Sequence, residues 1–371
     1  MSDERLLGTF LDLVRIDSPS REEAGCANFC ARVLESMGFR VRFDDSASET
    51  GSDVGNLIAE RPGTIPGTFA LSAHLDCVEP CRGVVPHVVE GVVSSQGDTV
   101  LGADDKAGLA AALEALGRLV ESGAPLPTLK AIFTVQEELG LVGAKHLSAR
   151  DAACDLCLVL DAEGAPGATV SAAPTHYTFI AEFAGMASHA GVAPELGVSA
   201  VRMAADAITR MELGRLDDAT TANIGSVRGG TATNVIPARC EVRGECRSLD
   251  RRRVETVRER MHSILLEAAH SGGGSVEVYW TREYEGFDFA DDDPLMALVA
   301  SACRDVGVQP STYRTGGGSD ANVLAGMGVP ALALACGMSG VHGTAEHIAV
   351  ADLETLTRIC VAVCERFSEG R

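Results

Sequence analysis

Apolar residues recur at helical spacing over positions 5–38, and the break Ser18-Pro19-Ser20 divides that stretch into two helices. Positions 56–59 and 68–73 are short apolar runs bounded by Gly and Pro, which predicts strands. Positions 107–120 are rich in Ala and Leu with no Pro, so a helix follows directly on Asp104-Asp105-Lys106. Positions 129–135 and 156–160 are continuous apolar runs, the pattern of strands covered on both faces. Strands alternating with helices give an α/β layer architecture.

The pattern changes after about residue 173. A strand at 177–183, a helix at 198–211, strands at 222–227 and 238–245, a helix at 254–269 and a strand at 275–280 follow in turn. This β-α-β-β-α-β order is that of a ferredoxin-like α+β unit. The chain then returns to helix, strand and helix at 294–306, 331–335 and 352–367. The expected organisation is a mixed-sheet α/β domain formed from 1–174 and 285–371, interrupted by an inserted α+β domain at 175–284.

A chain of 371 residues exceeds one ordinary core, in keeping with two domains. Apolar residues make up 46% of it, yet no run approaches the roughly 20 residues that span a bilayer. The start Met1-Ser2-Asp3-Glu4-Arg5 lacks the basic and apolar regions of a signal peptide, so a cytoplasmic location is expected. The formal charge of −21 argues against nucleic acid or anionic membrane as partners. The twelve cysteines fall largely within apolar runs and read as buried thiols. Cys154 and Cys157 spell C-x-x-C, but in an extended strand they point to opposite faces, and no second pair completes a zinc site.

Acidic and histidine residues stand where the apolar runs end. His74 and Asp76 follow 68–73, at the strand edge where open α/β sheets bind ligands. As i and i+2 they face one way, so Asp76 can bond the second nitrogen of a metal-bound imidazole; an ordinary polar loop is the alternative. Asp104 and Asp105 precede a helix, where capping explains one aspartate, while Gly102 and Gly108 permit the close approach that a cation-bridging carboxylate needs. Glu137 and Glu138 end the 129–135 run pointing in opposite directions, so one can bind metal while the other faces a water as general base. Asp161 ends the 156–160 run in the same way. Near the C-terminus His342 is preferred to His347, because Gly343 leaves it room beside a crowded site and His347 reads as part of a helix entrance.

As a set these segments resemble the dinuclear zinc peptidase family that includes peptidase T, carboxypeptidase G and the amino-acid deacylases. The likeness to peptidase T is strongest around Leu101-Gly102-Ala103-Asp104-Asp105-Lys106-Ala107-Gly108. The resemblance implies a zinc-exopeptidase-like catalytic domain whose insertion serves as lid and dimerisation domain. It implies one zinc on His74, Asp104 and Asp161, and a second on Asp104, Glu138 and His342, with cobalt or manganese as substitutes. Glu137 would be the base, Asp76 would orient His74, and the Asp104–Asp105 peptide would be cis. In the insertion, His189 in Gly-Met-Ala-Ser-His-Ala-Gly resembles a histidine that reaches a neighbouring subunit and stabilises the oxyanion, which implies a homodimer. Asn234 and Arg247 resemble substrate-holding residues, and Gly317 and Gly318 belong to a segment resembling a glycine-rich loop that lines the substrate cleft.

The implied reaction is hydrolysis of an amide bond in a short peptide. In this family an aspartate at the position of Asp161 goes with aminopeptidases, and a glutamate with carboxypeptidases and deacylases. Asp161 therefore points to a peptidase T-like aminopeptidase or tripeptidase, with Glu163 as a competing residue for the shifted register. An N-acyl amino acid deacylase or carboxypeptidase is the second reading, and a non-catalytic peptide-binding relative the third.

Overall fold

The computed structural model describes residues 2–290 and 292–369. Two compact units are present: one comprises Met1–Ser171, Phe289–Arg314 and Ser319–Arg371, the other Ala172–Asp288 with Thr315–Gly318. The glycine segment at 315–318 thus belongs with the insertion. Thr315 N donates to Ala172 O at 2.9 Å, and Gly318 lies against the Tyr284 ring.

In the larger unit the mixed sheet runs Arg40–Phe43, Leu57–Arg61, Thr128–Thr134, Thr68–His74, Leu156–Ala162, Ala331–Ala335 and Ala168–Ala173, with Ser311–Arg314 paired to the last. The four strands from Thr128–Thr134 to Ala331–Ala335 are mutually parallel. They are buried along almost their whole length, as continuous apolar runs require. The helix Ala103–Ser122 packs on Thr68–His74, flanked by Ser2–Val14 and Val350–Glu369. Gly108 permits that packing, since a Cβ there would sit 2.2 Å from Leu160 O. A separate three-stranded sheet joins Val85–Val89, Val92–Gln96 and His347–Ala349.

The inserted unit has the expected ferredoxin-like order with one added edge strand, Gly214–Asp217. Its antiparallel sheet runs Gly214–Asp217, Thr220–Gly229, Arg239–Ser248, Thr175–Ala184 and Ser275–Tyr284. Alternation decides which face is covered: Phe179, Ala181 and Phe183 are buried with Met203, Ala207, Met261 and Leu265 of the helices Ala200–Arg210 and Arg251–Ser271. Trp280, opposite Phe179 in register, closes this core with ring centroids 4.7 Å apart.

All twelve cysteines are free, and only Cys154 is not buried. The Cys157 thiol lowers the proton affinity of Cys154, and Cys154 raises that of Cys157. Cys154 precedes the strand that begins at Leu156, so strand alternation does not govern it. Among the described residues no helix is long and apolar enough to cross a membrane.

Two glycine substitutions test the packing. Gly108→Ala is expected to lower stability by at least about 1–3 kcal/mol, because backbone opposes the added methyl. Gly8→Ala, in the Ser2–Val14 helix with nothing within 4 Å of the added Cβ, is expected to raise it by about 0.5–1 kcal/mol. Urea midpoints moving in the same direction for both would contradict this account.

Candidate metal centre

Each of the four parallel strands leads at its C-terminal end to part of one cluster. His74 closes Thr68–His74, Glu137 and Glu138 follow Thr128–Thr134, Asp161 lies near the end of Leu156–Ala162, and the chain leaving Ala331–Ala335 carries His342. Asp104 joins them from the turn that opens the next helix. His74 Nε2 lies 3.0 Å from Asp104 Oδ1 and 3.7 Å from Asp161 Oδ1. His342 Nε2 lies 3.2 Å from Asp104 Oδ2 and 3.1 Å from Glu138 Oε1. The two oxygens of Asp104 therefore face different imidazoles. Donor atoms of His74, Asp104 and Asp161 converge within 4.8 Å, as do those of Asp104, Glu138 and His342, and those of His74, Glu137 and Glu138.

Competing residues fall outside these groups. His347 is exposed within the His347–Ala349 strand, its Nδ1 2.9 Å from Ala345 O. Glu163 is exposed, so Asp161 is the carboxylate that meets His74. Asp105 turns away and acts as the cap, its Oδ1 accepting from Gly108 N and its Oδ2 from His74 N, each at 3.1 Å. Capping and cluster formation are thus divided between adjacent aspartates. The peptide joining them is cis.

Asp76 meets His74 through both its backbone and its side chain. His74 Nδ1 is 2.9 Å from the Asp76 carbonyl oxygen and 3.4 Å from its carboxylate. The Asp76 carboxylate also accepts from Glu137 N at 2.9 Å, Glu138 N at 3.3 Å and the Ser20 hydroxyl at 2.6 Å. Glu23, fully buried, accepts from Gln136 N at 3.1 Å and Arg21 N at 2.9 Å. Ser20, Glu23, Asp320 and Glu346 are supporting residues that the sequence reading missed. The motif Gly-Gly-Gly-Ser-Asp carried the signal for Asp320, whose Oδ2 accepts from the Thr134 hydroxyl while Oδ1 is buried without a hydrogen bond.

Electrostatics describe a site short of positive charge. Burial drives Glu137 and Asp161 well above the usual carboxylate range; for Glu137 His74 opposes the rise while Asp320 and Glu138 add to it. Burial would also raise Asp104, but its bonds to His342 and His74 prevail and hold it low. Bonds to Asp104 and Glu138 push His342 up to about 10. Burial opposes charge on His74, yet its carboxylate neighbours raise it well above the ordinary value. Glu138 Oε1 is buried and has His342 Nε2, 3.1 Å away, as its ion-pair partner. Imidazole nitrogens and carboxylate oxygens with spare lone pairs suit divalent cations of the zinc class. The residues present fit two ions sharing Asp104.

The remaining sequence-derived residues lie in the inserted unit. Exposed His189 pairs with Val235, and Ala190 N donates to Asn234 O at 2.9 Å, so His189 and Asn234 lie on adjacent segments. Arg247 occupies the far end of the Arg239–Ser248 strand. Its Nη2 donates to Glu245 Oε2 at 2.8 Å, and that oxygen also meets His176 Nε2 at 2.8 Å. These partners, His176 first, hold Glu245 down at about 2. Gly318 leaves room for the Tyr284 ring, whose Cζ would lie 2.3 Å from an added Cβ. Gly317 is exposed, its N–H 3.1 Å from Thr315 Oγ1.

Comparisons with known proteins bear on this geometry. The profile of peptidase family M20/M25/M40 matches residues 70–366. The chain is 39% identical to the uncharacterized protein YqjE of Bacillus subtilis over 98% of its length and 99% of the relative's. It resembles the crystal structure of aminopeptidase PepT from Bacillus cereus, with 40% identity, 98% coverage of both chains and a TM-score of 0.89. It also resembles a tripeptidase from Staphylococcus aureus, with 35% identity, 99% coverage of both and a TM-score of 0.92. With this agreement across nearly its full length, the chain is a peptide hydrolase and belongs to peptidase family M20/M25/M40.

Proposed function

We propose that the protein is a zinc-dependent exopeptidase that removes residues from short peptides as an aminopeptidase of the tripeptidase kind. The carrying observation is the carboxylate of Asp104, set between two imidazoles with Glu137 beside them. His74, Asp104 and Asp161 would hold one zinc, and Asp104, Glu138 and His342 the other; Co2+ or Mn2+ suits the same donors. Bound there, the ions would polarise the scissile carbonyl and acidify the attacking water. Glu137 takes the proton from that water and passes it to the leaving amine, a task suited to a carboxylate whose affinity for protons is raised by burial. Asp76 positions this base by accepting its backbone N–H. Asp161 in place of glutamate, together with the aminopeptidase and tripeptidase likenesses, favours peptides with a free amino terminus over N-acyl amino acids.

Arg247 is assigned to the peptide carboxylate, for which a guanidinium fork is suited, with Gly317 and Gly318 in the loop beside Tyr284. His189 and Asn234 are assigned to the oxyanion and the substrate backbone. Arg247 is separated from Arg239, at the end of the strand nearer these two, by about 27 Å of extended chain. A tripeptide spans at most about 11 Å. We infer that one bound peptide meets Arg247 from one chain and His189 and Asn234 from a second, in a homodimer.

Kinetics on free tripeptides and N-acyl amino acids test the reaction. Wild-type protein is expected to cleave the tripeptides preferentially, and Glu137→Gln to lower kcat by about 10²–10⁴ while retaining both metals. Unchanged kcat would remove Glu137 from the role of base, and preference for N-acyl substrates would favour the deacylase. For the homodimer, exchanging His189→Ala chains with Glu137→Gln chains should restore part of the activity. No recovery despite demonstrated exchange would exclude the shared site.

The metal-free protein should lose stability as pH rises from about 5 to 9. Folded Glu137 and Asp161 keep protons that the unfolded chain releases above about 4, and folded His74 and His342 keep theirs above about 6.5. Each contribution is present below the unfolded value and lost through the raised folded one. Denaturant midpoints should fall across this range without metal and flatten when zinc is added. A rising metal-free midpoint would overturn this reading of the cluster.

A further inference from the structure

Glu346 takes no part in the donor groups, yet it is 1% exposed and its two carboxylate oxygens are both occupied. Oε2 accepts from Gly102 N at 2.6 Å and Oε1 from Asp104 N at 2.9 Å. These amides flank Ala103 and fix the backbone that presents the shared carboxylate. Glu346 also belongs to the same loop as His342. Ser339 and His347 exchange two backbone hydrogen bonds of 3.0 Å across the base of that loop, and Glu346 N donates to Gly343 O at 3.0 Å. His342 stands within it in a left-handed conformation, φ 62°. The loop therefore has a closed base, a histidine along its path and one carboxylate that ties it to Asp104.

A carboxylate is a costly choice for this link. It adds negative charge to a cluster already rich in it, and a backbone carbonyl or amide side chain could satisfy one N–H without charge. Accepting two N–H groups with two oxygens requires the carboxylate, because a glutamine would present an NH2 group to one of the donors. The other flank of Asp104 has separate support, since Asp105 binds His74 N and Gly108 N. Losing Glu346 would therefore weaken mainly the approach of His342 to Asp104 Oδ2.

We propose that Glu346 is a positioning residue for the second metal, setting the spacing of His342, Asp104 and Glu138 through its bonds to Gly102 N and Asp104 N. This rests on the two-metal reading above, and titrating metal-free protein with Zn2+ by calorimetry separates the two ideas. Wild-type protein should bind two equivalents. Glu346→Gln should bind one with nearly unchanged affinity and the other at least tenfold more weakly. Glu346→Asp, which retains the charge on a shorter side chain, should give an intermediate loss at the weakened site. Wild-type binding of fewer than two equivalents would defeat the two-metal reading itself. Two wild-type affinities in folded Glu346→Gln, or an equal loss at both sites, would overturn the role of Glu346 alone. If neither variant folds by circular dichroism, Glu346 serves folding and the positioning role is also overturned.

Discussion

Buried negative charge is the constraint to which the rest of the larger unit answers. Asp104, Glu137, Glu138 and Asp161 converge at one edge of a parallel sheet, and among the described residues their ion-pair partners are imidazoles. Leaving charge uncompensated in a desolvated place is costly. The chain manages this by separating two kinds of carboxylate. Glu23, Asp76, Asp105 and Glu346 are each nearly inaccessible, and each accepts two backbone N–H groups. Those four hold turns in place. The other four keep lone pairs directed at one another and at the imidazoles, an arrangement suited to cations.

The sequence revealed the residues that touch the centre more readily than those that support it. His74, Asp104, Glu137, Glu138 and Asp161 stand where apolar runs stop, and a run that stops at a sheet's C-terminal edge is a readable signal. Supporting groups have no such marker. Ser20 lies in a helix break, Glu23 near a helix start and Glu346 beside a histidine, each a place where a polar residue needs no explanation. Their roles emerge only from contacts across the chain, such as the 56 residues between Ser20 and Asp76. Asp76 combines both cases: its carboxylate lies 3.4 Å from His74 Nδ1, as the sequence suggests, while its bonds to Glu137 N and Glu138 N have no local marker.

The same limits shaped the reading of the fold. Strands buried on both faces, such as Thr128–Thr134 and Ala331–Ala335, were legible as unbroken apolar runs, and the ferredoxin-like insertion was legible from its order of elements. The Val85–Val89 and Val92–Gln96 hairpin was not. Val88 and Val89 are adjacent and both exposed, so neither alternation nor a continuous buried run marks it. Gly214–Asp217 is likewise short and largely exposed, a strand formed by pairing with Thr220–Gly229 instead of by burial. Local sequence carries the core; pairing partners decide the edges.

The Ala331–Ala335 strand lies between Leu156–Ala162 and Ala168–Ala173, neighbours that precede it by well over a hundred residues. A chain emerging from the ribosome must therefore complete the whole inserted unit before the central sheet can close. Only after that can the loop bearing His342 reach Asp104, across a gap in sequence that also separates Glu346 from Asp104 by 242 residues. Contacts this distant form late because the entropy of closing the loop must first be overcome. The full donor set is thus a product of the finished chain, and a truncated or half-made copy would carry acidic residues without the paired centre.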